Sequence, residues 1–228
     1  MGTILDIINN QAVTSSLGIL IVSILALIIK KIQAITPTAH GPIGTSFSDT
    51  HIKIGDALTT LLEQTRADRA TLYQFSNGEY FSTSNPMWKI TCSVEKIEKG
   101  LAFESGVVCK ELASSMLEFV APIIDPSAKV PGVTVEKCGS GNCNLFKSGL
   151  KIRHYDIFMM PYCRYKRLMD ELGTSHVYAV PMLVNNKTVG ILAVQYMADT
   201  PSENIPNRAC SICTAMRNVQ FYLEGTDK

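Results

Sequence analysis

The chain has 228 residues, 46% of them hydrophobic and 18% charged, with a formal net charge of +1. A balance this close to zero excludes a surface given over as a whole to nucleic acid, so any basic function must be local. Seven cysteines, an odd number at irregular spacing in a chain long enough to build its own core, point to reduced thiols rather than a disulfide framework.

After a short tail over residues 1–12, the first element is the uncharged stretch Val13–Ile29, which contains the unbroken apolar run Leu17–Ile29 and is closed by Lys30 and Lys31. At roughly 1.5 Å per residue it makes about 25 Å of helix, a little short of a hydrocarbon core of roughly 30 Å. Ala12 and the snorkelling lysines close that gap. No side of the run is polar, which argues against a surface-lying helix. The leader carries Asp6 and no lysine or arginine, which argues against a secretory signal peptide. The expectation is a single-pass transmembrane helix over residues 13–31, with a buried core helix as the plainer alternative. Basic residues lie only after the span, so the rest of the chain is expected on the cytoplasmic side of an inner or cell membrane.

Residues 32–50 read as a tether, because Pro37, Gly41, Pro42, Gly44 and many hydroxyl residues leave no helical or strand period. Ser48 or Asp49 is placed to cap a helix in which Ile54, Ala57, Leu58, Leu61, Leu62 and Thr65 form one apolar stripe. Ala70–Phe75 alternates as a strand, Asn77–Gly78 has hairpin-turn chemistry, and Glu79–Thr83 is the expected return strand. Trp88–Val94 alternates again. Val108, Leu112, Met116 and Phe119 then mark a second helix.

Asp125–Tyr162 reads as an irregular insert, with Ile157–Met160 as its one candidate strand. Arg164–Leu172 predicts a short helix stopped by Gly173. His176–Val184 and Val189–Tyr196 predict a hairpin about Asn185–Lys187, and Ala209–Leu223 recurs at helical spacing as the last helix. Strands in antiparallel hairpins, with helices before and after, predict an α+β fold: a central antiparallel sheet with the N- and C-terminal helices packed on one face.

From the helix running into ADRATLYQF, through GEYFSTS, to RLMDELGTSHVYAVPMLVNNKTVGILAVQY and the terminal helix, roughly Ile52–Leu223 resembles the GAF domain family. The resemblance implies a GAF-like domain over residues 51–228. It further implies a sensory or dimerising module, usually cytoplasmic, with a small-molecule pocket between the sheet and its irregular loops. The Asn-Lys-X-Phe-Asp-Glu signature of the cyclic-nucleotide-binding members is absent, as is a chromophore-type cysteine followed by histidine. The chain ends soon after the terminal helix, so the expected output runs through a protein partner or through homodimers formed by Ile52–Arg66 and Ala209–Leu223.

One branch with GAF-like folds reduces free methionine sulfoxide with loop cysteines, and Cys109, Cys138, Cys143 and Cys163 would be the pool for that thiol chemistry. A zinc site is the other option, but the Cys138–Cys143 spacing is marginal for it. Ordinary reduced loop thiols are the plain alternative to both. Cys210 and Cys213 lie inside an amphipathic helix and read as packing.

Lys147, Lys151, Arg153, Arg164, Lys166 and Arg167 crowd one stretch, interleaved with Tyr155, Phe158, Tyr162 and Tyr165. Cations beside aromatics suit a small anionic ligand or anionic headgroups. The candidate ligand-binding residues are therefore Tyr155, Tyr162, Arg164, Lys166, Arg167 and Trp88, against a plain alternative of solvated charges and core aromatics. No nucleophile can be paired with a base among the four histidines, and there is no glycine-rich phosphate loop. No cofactor or metal is expected. The reading is a membrane-anchored, non-catalytic ligand-sensing or protein-interaction module. A thiol reductase and a ligand-free structural adaptor are its rivals, and the state of the pocket discriminates among the three.

Overall fold

In the computed structural model, contacts divide the chain into a unit Met1–Thr45 and a unit Ser46–Lys228. The structure describes residues 45–80, 86–106, 108, 110–136, 151–184, 187–198 and 208–224. Val13–Ile29 lies outside the described residues, among which no helix is long and apolar enough to cross a membrane.

Helix α1 spans Thr45–Thr65. It begins earlier than the Ser48 or Asp49 cap expected from the sequence, because no proline or glycine interrupts residues 45–54. Ile54, Leu58, Leu61 and Leu62 form its buried stripe. The helix ends where Arg66 takes a φ of 51° and the Ala67 amide donates back to the Leu62 carbonyl.

Strand β1 spans Arg69–Tyr80 and pairs antiparallel with β2, Pro86–Ile97. The expected turn at Asn77–Gly78 is therefore not there. Asn77 pairs with Trp88 and Glu79 with Met87, so Gly78 is the extra residue of a bulge. Asn-Gly chemistry serves a bulge as well as a turn. The expected helix after Ser105 is likewise broken up. Val108 lies against β2, where its carbonyl accepts from the Cys92 amide; the short β3 (Glu111–Leu112), a 3-10 turn (Ala113–Met116) and α2 (Leu117–Ile124) follow.

The insert supplies two more strands, β4 (Val133–Glu136) and β5 (Ile152–Asp156). The expected strand at Ile157–Met160 is a turn, closed by the Met160 amide on the Ile157 carbonyl. Helix α3 (Arg164–Glu171) ends at Gly173, whose φ is 71°. Strands β6 (Thr174–Val184) and β7 (Lys187–Met197) form the expected hairpin, and α4 spans Arg208–Glu224.

The seven strands of the described residues make one antiparallel sheet in the order β3-β2-β1-β7-β6-β5-β4. Both faces are covered. On one, α1 and α4 pack over Leu72, Val180, Leu192 and Val194. On the other, α2 and α3 pack over Tyr73, Val177, Ala179 and Ile191. Two covered faces explain why the β6 and β7 sequences are almost continuously apolar instead of alternating.

Candidate functional site

The concave feature of the second face is a cleft of about 590 Å³ at the flank of the sheet. Phe75 of β1 and Trp88 of β2 form one wall, and Leu112, Ala113 and Ser114 close an end. Helix α2 supplies the opposite wall through Leu117, Val120 and Ile124, which share one side of the helix at spacings of three and four. Phe119 and Ile123, on the other side of α2, enter the core instead. Trp88 is 51% exposed, Leu117 55% and Ile124 53%, so an apolar wall faces solvent. Lys187 and Thr188 at the start of β7 complete the rim, and Lys187 is the only charged residue among the described lining residues.

Beside the cleft the interior is filled. The Phe119 ring stacks on Tyr165 at 4.1 Å between centroids, and Tyr73 and Tyr155 pack against it at 5.4 and 5.3 Å. The Tyr155 hydroxyl donates to the Phe119 carbonyl at 2.7 Å. Burial pushes the hydroxyls of Tyr73, Tyr155 and Tyr165 well above the usual phenol range.

Of the candidate ligand-binding residues, Trp88 alone lines this cleft. Tyr155 belongs to the filled core, and Tyr162 stands 82% exposed in the loop before α3. Arg164 pairs with Glu111 at 2.9 Å. The Lys166 ammonium donates to the carbonyls of Ile157 and Phe158, and Arg167 lies 3.8 Å from Glu171 on its own helix. The structure therefore does not gather these cations round one ligand. Arg153 is buried, with its Nε donating to the Pro122 carbonyl at 2.7 Å in the last turn of α2. A cation that serves a helix C-terminus is compensated there by carbonyl dipoles.

Among the candidate thiols, Cys163 caps α3, its Sγ accepting from the Lys166 amide, and burial raises its pKa. Cys92 is buried, and its thiol is pushed up as well, by desolvation above all. A reactive cysteine needs the opposite shift. Cys109, Cys138 and Cys143 lie outside the described residues. Among the described residues no three histidines, cysteines or carboxylates are grouped to hold a metal ion.

Two polar clusters were not anticipated from the sequence. In the first, Arg69 Nη1 donates to Gln195 Oε1 at 2.7 Å, and Arg69 Nε lies 3.0 Å from Glu95 Oε1. Gln195 Nε2 and the Tyr73 hydroxyl both donate to Glu104, each at 2.6 Å. Glu104 is fully buried, and desolvation raises its pKa to about 7 against the hydrogen bonds and Arg69, which lower it. In the second, His154 Nε2 lies 3.1 Å from His176 Nδ1, the His154 ring stacks on Tyr178 at 4.4 Å, and Arg208 covers the same tyrosine at 3.6 Å. The signal for the first was Arg69 and Gln195 at the inward phase of otherwise apolar strands.

No family model matches the sequence, and no curated protein sequence matches it. The fold is similar to that of a red/green cyanobacteriochrome in its red light-absorbing state, at a TM-score of 0.50 and 12% identity over 78% of this chain and 96% of that one. The GAF domain of the cyanobacteriochrome TePixJ matches at 0.48 and 13%, over 83% of this chain and 98% of that one. A GAF domain/HD domain protein from Geobacter sulfurreducens matches at 0.47 and 11%, over 78% and 94%. At such identities the likeness is one of fold alone. The described domain thus has the GAF-like fold that its hairpins and terminal helices resemble in sequence.

Proposed function

We propose that the chain is a non-catalytic sensing module, which takes a small apolar ligand in the cleft between β1, β2 and α2 and passes the signal to a protein partner or to a second copy of itself. The single observation that carries this reading is the open apolar cleft of about 590 Å³ beside a filled core, a volume within the range of small-molecule sites. A ligand-free adaptor has no use for three large apolar side chains held half out in one concavity. Burial raises the pKa of Cys92 and of Cys163, which does not favour reductase chemistry at either thiol. The apolar run Val13–Ile29 is the membrane anchor in this reading, holding the module at the bilayer.

Native mass spectrometry of the purified full chain tests the reading. Ala113 lines the cleft, so an Ala113→Phe variant fills it. The expected result is a bound small molecule on the unmodified chain that is missing from the variant. An unmodified chain that carries nothing, and that no apolar compound stabilises against heat, overturns the sensing role in favour of the adaptor.

A further inference from the structure

We propose that the ligand of this cleft is a single-chain carboxylate amphiphile, its acyl chain lying along α2 and its carboxylate at Lys187. The inference rests on reading the cleft as a ligand site and adds the chemical class. Among the described lining residues, Phe75, Leu112, Leu117, Val120 and Ile124 offer no hydrogen-bonding side chain, Trp88 offers only its indole N–H, and none is a carboxylate. A nucleotide or a sugar needs several converging donors and acceptors, whereas the polar side-chain groups among the described lining residues are the indole N–H of Trp88, the hydroxyls of Ser114 and Thr188 and the ammonium of Lys187. Lys187 forms no ion pair among the described residues and is exposed at the first position of β7. One unpaired cation at the rim of an apolar trough complements a molecule with one negative end and a long apolar body. The concavity and its volume suit such a chain better than the flat, extended area of a protein interface.

Trp88 is the only tryptophan in the chain, so its emission reports this wall and nothing else. The experiment titrates the full chain with a saturated carboxylate brominated near its methyl end, and with the brominated primary alcohol of equal length. Bromine quenches Trp88 only on contact. The expected result is saturable quenching at one molecule per chain, with affinity rising about fourfold for each methylene added. The carboxylate binds a few-fold tighter than the alcohol at low salt, and both Lys187→Gln and added salt erase that preference. Ala113→Phe abolishes quenching by both compounds.

If alcohol and carboxylate bind alike and Lys187→Gln changes nothing, the carboxylate assignment is overturned while the cleft remains a ligand site. If neither compound quenches Trp88 on the unmodified chain, the amphiphile assignment is overturned, and the native mass spectrometry above decides separately whether the cleft holds another apolar ligand. Quenching that persists in Ala113→Phe places the ligand elsewhere and overturns the inference.

Discussion

Glu104 sits with both carboxylate oxygens inside the protein, one accepting from the Tyr73 hydroxyl and the other from the Gln195 amide. Those donors suit the ionised form, yet desolvation outweighs them and holds the pKa at about 7, above its ordinary 4.5. The native state therefore binds a proton that the unfolded chain gives up. The stability this confers is fully present below about pH 4.5 and is lost as pH rises through about 7, a swing of about 3 kcal/mol. Denaturant melts across that window should show the decline in the native chain and a flatter profile in Glu104→Gln; parallel profiles would refute it. His154 acts with the opposite sign. Burial, then His176 and Arg208, press its pKa down to about 4, against a smaller pull from Asp156. Its contribution is full above about pH 6.5 and fades as pH falls through about 4. A ring-proton titration by NMR should place His154 near 4, and a midpoint near 6.5 would contradict the stacked, hydrogen-bonded geometry.

Strand β7 crosses β1 with no room at Gly190, where an added Cβ would stand 2.1 Å from the Tyr73 carbonyl oxygen. That oxygen belongs to backbone in the middle of the sheet and cannot step aside. Gly190→Ala should cost at least 1–3 kcal/mol, read as a drop in thermal midpoint, and an unchanged midpoint would show that β1 and β7 can part there. The sequence disclosed elements whose apolar pattern is set by one neighbour, such as the α1 stripe and the β6–β7 hairpin. It hid those whose polar residues are satisfied at a distance. Strand β5, Ile152–Asp156, reads as charged and irregular because Arg153 finds its acceptor at Pro122 and His154 its stacking partner at Tyr178, on other elements. The cleft was half legible for the same reason: Trp88 was singled out, but Leu117 and Ile124 look like ordinary core positions until α2 is seen to have apolar sides turned both ways.

For the whole chain, Lys30 and Lys31 after the apolar run predict a cytoplasmic C-terminus. A reporter fused after Lys228 that works only outside the cytoplasm should stay silent, and activity there would reverse the orientation. Ile52 of α1 and Phe221 of α4 are strongly exposed on the two terminal helices. A weak dimer through these helices is expected, so sedimentation should show dimers at high concentration that Ile52→Glu with Phe221→Glu dissolves. Monomer throughout would leave the output to another protein. The two-sided sheet also constrains how a message can travel. Successive residues of a single strand, Leu72 and Tyr73 or Ala193 and Val194, belong to cores on opposite faces. The strands form a shared wall with a core on each side: in the proposed sensing role, a ligand wedged against β1 from the cleft would displace the seat of the terminal helices by pressure rather than by charge. Transmission of that kind is insensitive to ionic strength, which sets it apart from a relay built on surface ion pairs.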